Sequence, residues 1–423
     1  MKLTFICFTS LFLFAEGQFG GVFPKLQLSP KSYSIPNPQR IKGSLSFGVG
    51  SRDTPAAHVG VHIANPVPAT LFTVPPNIPT IGVPVTQHIP IPSAVVVKIP
   101  VSSNEQKMQE EWNSFRTTFN KVYPTAEEEA LRREIFFENR AKIDRLNDEY
   151  SQGRRSYVQR LNPFADLLLH EFTRAFNGYN RSTSTPRVSI PQSTAFIPSA
   201  NVIFPKSVDW REVGAVTDVK YQGKCAACWA FAAAGALESH TFRKTGMLVN
   251  ISAQNLIDCT EPYGNSGCSG GLMNPAFEYV RDNKGVDSEQ SYPFEEKDGE
   301  CRFRREFVVA TCTGYVDIAE NDEKGLEIAI ATIGPVTAAI DAGQETFQFY
   351  SEGIYDDPAC GNKPEQMNHA VLIVGYGQEP DGRKYWLIKN SYGPQWGMGG
   401  YFKMAKEAGN QCGIAIQASY PLV

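Results

Sequence analysis

Nine cysteines and six histidines hold the reactive chemistry of this 423-residue chain, and their placement narrows it to one pair. A thiol works as a nucleophile when its pKa is lowered, a proton partner stands beside it and donors await the developing oxyanion. Cys228 has the best setting. It opens the run Trp229-Ala230-Phe231, which continues alanine-rich and proline-free to His240 and predicts a buried helix. Free N–H groups and the dipole at a helix start favour a thiolate. The alternative is half of a disulfide or redox pair in Cys225-Ala226-Ala227-Cys228. A thioredoxin-type site calls for a βαβ pattern, and a zinc site for a second close Cys or His pair; the sequence offers neither.

The proton partner follows by elimination. His58, His62, His88 and His170 precede the globular region. His240 is 12 residues beyond Cys228 on the same predicted helix, roughly 18 Å away at the helical rise, which is out of reach. His369 remains. A lone histidine is usually structural, but here no competitor is left.

The elements that position this pair are legible in outline. His369 stands just before Ala370-Val371-Leu372-Ile373-Val374, and Tyr385-Trp386-Leu387-Ile388 follows; both runs lie between Gly-rich turns and read as strands. Helices first and strands later predict an α+β fold. Upstream, Glu128, Arg132, Phe136, Asn139, Ile143 and Asn147 are spaced by 4, 4, 3, 4 and 4, which puts them on one helix stripe. A stripe that mixes charged and apolar residues predicts polar pairing with neighbouring helices; an ordinary amphipathic helix is the alternative.

Composition is that of a globular protein, 42% hydrophobic and 20% charged. Residues 1–17 carry Lys2, an apolar run from Leu3 to Ala15 and small residues after it. They read as a signal peptide, since the run is too short to span a bilayer; a buried N-terminal helix is the alternative. Export to the secretory pathway, ending in a lysosome or the extracellular space, fits the eight later cysteines, all between Cys225 and Cys412, being disulfide-bonded. About 105 full pairings are open on counting alone. Residues 19–104 hold 14 of the 29 prolines and no cysteine, which predicts an extended, partly polyproline II extension. Charge is split: residues 1–203 carry 21 Lys+Arg and 15 Asp+Glu, a net of +6, and residues 204–423 carry 19 and 29, a net of −10, together the −4 of the chain. The halves are expected to bind each other and to loosen in acid. An acidic back half argues against nucleic acid, and no run is long enough for a membrane span.

The run Gln222-Gly223-Lys224-Cys225-Ala226-Ala227-Cys228-Trp229-Ala230-Phe231 resembles the active-site signature of papain-like cysteine proteases. Met367-Asn368-His369-Ala370 and Asn390-Ser391-Tyr392-Gly393 resemble two further motifs of that family. His369 follows Cys228 by 141 residues and Asn390 by 162, close to the family's His and Asn separation of about 130–150. The helical stripe resembles the inhibitory propeptide motif of the cathepsin L-like branch at all six positions. The resemblance covers about residues 107–423.

It implies a papain-like fold of two domains, a helical one and a β-barrel-like one with the cleft between them, preceded by a helical propeptide. The division it suggests is residues 1–17 signal peptide, 18–106 Pro-rich extension, 107–172 inhibitory propeptide, 173–203 linker and 204–423 peptidase, with cleavage near Ile203 and Phe204. It implies a zymogen of a monomeric cysteine endopeptidase acting on proteins and peptides, without cofactor or metal. Cys228 is then the nucleophile, His369 the acid and base, Asn390 its orienter and Gln222 an oxyanion donor. Gly270 and Gly271 pair with substrate backbone, Trp396 belongs to the substrate cleft, and Leu272, Met273, Ala339, Met367, Ala370 and Gln417 line the pocket for the second residue before the cut. Apolar residues are expected there, with no preference for Arg because Gln417 is neutral. The implied disulfides are Cys225–Cys268, Cys259–Cys301 and Cys360–Cys412, leaving Cys228 and Cys312 free.

The departures at Ala226 and Tyr392 motivate an alternative, a catalytically weak homologue that acts as a binding or matrix protein, against which the intact catalytic residues argue. The departure at Arg160 bears on the pH trigger of activation. Ala226-Ala227 stands where Gly-Ser is usual, and a methyl at 226 is expected to crowd and strain the site. Tyr392 replaces a Trp and brings a hydroxyl. Arg160 replaces a Gly in a second propeptide motif that includes Asn162, Phe164 and Asp166. Sequons occur at Asn180 and Asn250.

Overall fold

A computed structural model describes residues 103–180, 193–198 and 204–423; the expected signal peptide and nearly all of the Pro-rich extension lie outside them. The described part belongs to one compact unit, residues 94–423.

The expected stripe is a helix. α1 spans Ser103–Thr118 and α2 Ala126–Ser151, the latter capped by the Thr125 hydroxyl accepting from Glu128 N. Phe136 and Ile143 are buried with Trp112 and Phe115 of α1. The polar stripe positions bond outward. Arg132 forms a two-point ion pair with Glu171 of α3 (Leu169–Phe176). Asn139 Nδ2 donates to the Ala165 and Leu167 carbonyls, and Asn147 exchanges two bonds with the Gln159 backbone. The stripe therefore clamps the chain that leaves α2, as well as reaching the next helix.

α4, Cys228–Thr245, is the predicted buried helix, and it ends at Gly246 in the left-handed conformation. Its alanines allow close packing: a Cβ on Gly235 would lie 2.9 Å from Leu372 Cδ2 in the neighbouring strand. Around α4 sits one hydrophobic cluster, with Leu256, Phe277 and Val280. A second fills the sheet, with Phe347, Trp386, Trp396 and Phe402.

The strands run in the order Tyr157–Gln159, Tyr350–Tyr355, Tyr401–Ala405, Lys384–Lys389, His369–Gln378, Val336–Ile340, Ala418–Leu422, Gly314–Asp317 and Ser193–Ala195. His369 begins a long central strand, and Ile340 is its register partner across from it. Both edges of the sheet are covered by residues preceding Phe204. Tyr157–Gln159 pairs antiparallel on one side and Ser193–Ala195 parallel on the other. Edge strands left open are sticky, so this segment also closes the sheet's exposed ladders.

Among the described residues, ion pairs Lys142–Glu345 and Arg160–Glu352 join the two halves. The larger contact is aromatic: Phe164, Phe172 and Phe176 meet Tyr392 edge-on at centroid distances of 5.4–5.8 Å. The halves do bind each other, but buried rings carry more of the contact than the charge split foretold. Arg160 is accommodated because its side chain points into solvent towards Glu352, while its N–H donates to Phe349 O.

Candidate active site

Cys228 begins α4 and is fully buried. The helix N-terminus aims backbone donors at this region. The thiol accepts hydrogen bonds from Ala370 N at 3.3 Å and Gly178 N at 3.2 Å. Both contacts favour the thiolate, yet burial outweighs them and pushes the thiol up to about 11.

His369 is adjacent to that Ala370 donor and also fully buried. Its Nε2 lies 2.8 Å from Asn390 Oδ1. Ser391 N donates to the same oxygen, which fixes the amide's orientation; Nε2 must therefore carry the proton and donate. Nδ1 makes no hydrogen bond of good geometry, although the Phe176 backbone lies close enough to favour a proton on the ring. Burial pulls the imidazole down to about 4, although Asn390 opposes it. Burial of both groups thus favours the neutral pair over the ion pair in this state.

Gln222 Nε2 donates to Phe176 O at 3.0 Å and to Cys225 O at 2.9 Å, while its Oε1 accepts from the Ser391 hydroxyl. A peptide carbonyl thus already occupies the donor that sequence reasoning assigned to an oxyanion.

What fills the site is the extended segment 177–180, which follows α3. Gly271 N donates to Gly178 O, Asn180 N to Gly271 O, and Tyr179 N to Asn368 O. The bridge between Tyr179 and Gly271 is parallel. The segment approaches the sulfur with the Gly178 N–H. Glycine is needed on both faces. A Cβ on Gly178 would lie 1.6 Å from Ala226 O, and one on Gly270, whose φ is +116°, would lie 2.8 Å from Gly178 O.

Tyr179 is buried in the same cluster as Leu272, Met273, Ala339, Met367 and Ala370, and its hydroxyl donates to Gln417 Oε1 at 2.6 Å. Five of the sequence-selected pocket residues thus share a buried cluster with Tyr179, and the sixth, Gln417, is hydrogen-bonded to it. Trp396 is placed differently. It is fully buried behind Tyr392, packed at tilted and edge-on angles among Phe347, Tyr350 and Phe402, and donates from Nε1 to Gln348 O. Its position in the core makes it a backing for the cleft, because its only polar atom is already used inside.

Ala226 is not strained. It is absent from the residues with positive φ, and its N–H donates to Cys268 O. Tyr392 lies over the His369 ring at 4.7 Å, and its hydroxyl donates to Asn177 Oδ1. Disulfides join Cys225–Cys268, Cys259–Cys301 and Cys360–Cys412, with Cys228 and Cys312 free. Among the described residues no His, Cys, Asp and Glu group is arranged to hold a metal, and no helix is long and apolar enough to cross a membrane.

A buried thiol and imidazole beside an amide donor, covered by the chain's own upstream strand, define a cysteine peptidase held with its cleft filled. The chain belongs to the papain family of cysteine proteases: residues 204–422 match that family and residues 112–172 match the cathepsin propeptide inhibitor domain. It is 51% identical over 319 residues to cathepsin L of Sarcophaga peregrina, covering 75% of this chain and 93% of that one. It is 47% identical over 322 residues to procathepsin L of Mus musculus, covering 75% and 93%. The structure of digestive procathepsin L 3 from Tenebrio molitor larval midgut superposes with a TM-score of 0.69 at 40% identity, over 75% of this chain and 99% of that one. The protein is a cathepsin L-like cysteine protease that carries its inhibitory propeptide.

Proposed function

We propose that this zymogen becomes an endopeptidase by losing the residues before about Phe204, and that Cys228 and His369 then cleave peptide bonds through a thioacyl enzyme. With the segment 177–180 gone, water reaches the pair and a proton passes from Cys228 Sγ to His369 Nδ1. The thiolate attacks the substrate carbonyl carbon. The oxyanion accepts from Gln222 Nε2 and from Cys228 N–H. His369 gives its proton to the leaving amine, and in the second half takes one from water, whose oxygen attacks the thioester and restores the thiol. Asn390 keeps the imidazole turned so that Nδ1 faces the sulfur.

The observation that carries this reading is the contact of Gln222 Nε2 with a peptide carbonyl beside Cys228. Tyr179 supports the substrate choice: the pocket that seats it has apolar walls and a neutral amide, which suits Phe, Tyr or Leu at the second position before the cut. The enzyme is a monomer of the lysosome or the extracellular space. Of the two sequons, exposed Asn250 suits a glycan better than Asn180, whose backbone is bonded in the cleft. The test is hydrolysis of a fluorogenic peptide with Phe in that position, at acidic pH, by the processed protein and by Cys228→Ala. Turnover lost in the variant is expected. A folded, processed wild type without turnover would favour the binding-protein reading.

A further inference from the structure

Asn177 sits in a small polar site on the leaving-group side of Cys228. Residues 179 and 180 pair with Gly271 on one side of the sulfur. Asn177 lies on the other side, under the Tyr392 hydroxyl. Its Oδ1 accepts from that hydroxyl at 2.8 Å, and its Nδ2 donates to Ala342 O and to Asn368 Oδ1, both at 3.1 Å. The polarity of the site is set from below. Asn368 Nδ2 donates to Asp341 Oδ1, and Asn368 Oδ1 accepts from Ala342 N, so Asn368 can only present its oxygen. Asp341 is held in turn by Gly343 N, Gln344 Nε2 and Gly361 N. The site therefore offers one hydroxyl donor and two fixed acceptors. That is the complement of a primary carboxamide.

Resting on the peptidase reading above, we propose that after the propeptide leaves, Tyr392, Asn368 and the Ala342 carbonyl form a carboxamide-selective subsite that favours asparagine as the first residue after the cut. A carboxylate there faces two acceptor oxygens. An aliphatic side chain of the same size leaves the Tyr392 hydroxyl, the Ala342 carbonyl and the Asn368 amide oxygen, all part-buried against Asn177, without their partners, which a site built on hydrogen bonds disfavours. The tyrosine hydroxyl is the part that the family's usual Trp would not supply in this form, so the selectivity belongs to this chain.

The test uses the acid-processed enzyme and peptides that share Phe at the second position before the cut and vary Asn, Gln, Asp, Leu or Lys directly after it. The expected kcat/KM for Asn exceeds that for Leu by about five- to tenfold, the worth of one or two net hydrogen bonds, with Asp poorer than Leu. In Tyr392→Phe the Asn-to-Leu ratio falls towards about one, because only the hydroxyl is lost. Asn no better than Leu, a ratio unchanged by Tyr392→Phe, or Lys as the best residue would each overturn the proposal. In a Cys228→Ala enzyme the Kd values of the same peptides should follow the same order. Set beside wild-type turnover, that arm separates the two readings: ordered binding by the variant with no turnover by the processed wild type sinks the peptidase mechanism and keeps the subsite, and good wild-type turnover of the Leu peptide without amide preference does the reverse.

Discussion

Replacing Gly178 by Ala should open the zymogen without touching the catalytic residues. The new Cβ would lie 1.6 Å from Ala226 O, 2.3 Å from its carbonyl carbon and 3.0 Å from its Cα. All three are backbone atoms next to a disulfide-bonded cysteine, so no rotamer change relieves the clash and the strand must lift. Lifting it breaks the contacts of Gly178 N with Cys228 Sγ, of Gly271 N with Gly178 O, of Asn180 N with Gly271 O and of Tyr179 N with Asn368 O. At about 1 kcal/mol net for each bond, partly replaced by water, the closed strand loses about 3 kcal/mol, or roughly two decades in the closed-to-open ratio. The assay is the rate at which iodoacetamide modifies Cys228 in unprocessed precursor at neutral pH, with Cys312 blocked by substitution. Gly178→Ala precursor of normal melting temperature should react about a hundredfold faster than wild type. Equal rates would refute the idea that this strand's close approach is what seals the thiol.

Two further perturbations follow from the same contacts. Arg132 holds the Glu171 carboxyl below the usual carboxylate range, chiefly by hydrogen bonding, so its contribution is present above pH 4.5 and fades as pH falls through the lowered value; Glu171→Gln should therefore weaken the precursor at neutral pH by up to about 1 kcal/mol after solvent screening, and flatten its acid-dependent loss of stability, as read by thermal melts from pH 3 to 7. Gln417→Glu puts a carboxylate where the Tyr179 hydroxyl now donates, and should raise cleavage after Arg at the second position relative to Phe by about tenfold, the scale of one charge-assisted contact; an unchanged Arg-to-Phe ratio in a peptide panel would move the pocket floor elsewhere.

Much of this was readable in sequence because it depends on local patterns. A spacing of three and four put Arg132, Asn139 and Asn147 on one stripe, and those residues do clamp the chain around Gln159 and Ala165. The proline-free alanine run foretold α4, and elimination found His369. The occupants of the cleft were not readable. Asn177 meets Tyr392 across 215 residues and Tyr179 meets Gln417 across 238, and nothing in the residues around 176–180 marks a strand that fills a site. The one available signal was Gly178 just after a helix, and a glycine there reads equally well as a cap. Trp396 was misplaced for a related reason: a tryptophan beside a cleft motif does not tell from sequence which way its ring faces. Net charge of opposite sign anticipated that the halves associate, but it could not show that Phe164, Phe172 and Phe176 would pack around Tyr392.

The acid trigger also becomes more specific. Moving a proton from Cys228 to His369 leaves the number of bound protons unchanged, so opening the pair to water does not by itself respond to pH. Glu171, whose carboxyl Arg132 holds below its usual range, is one group on which acid can act.

The central claim is that the propeptide strand keeps the catalytic pair neutral by burying it, and that removal lets the ion pair form. Alkylation of Cys228 as a function of pH, in precursor and in processed enzyme, measures this directly. The precursor thiol should titrate near 11, as burial dictates, while the processed enzyme should react as a thiolate well below pH 7, like other His-paired cysteines. Identical profiles in the two forms would contradict the account.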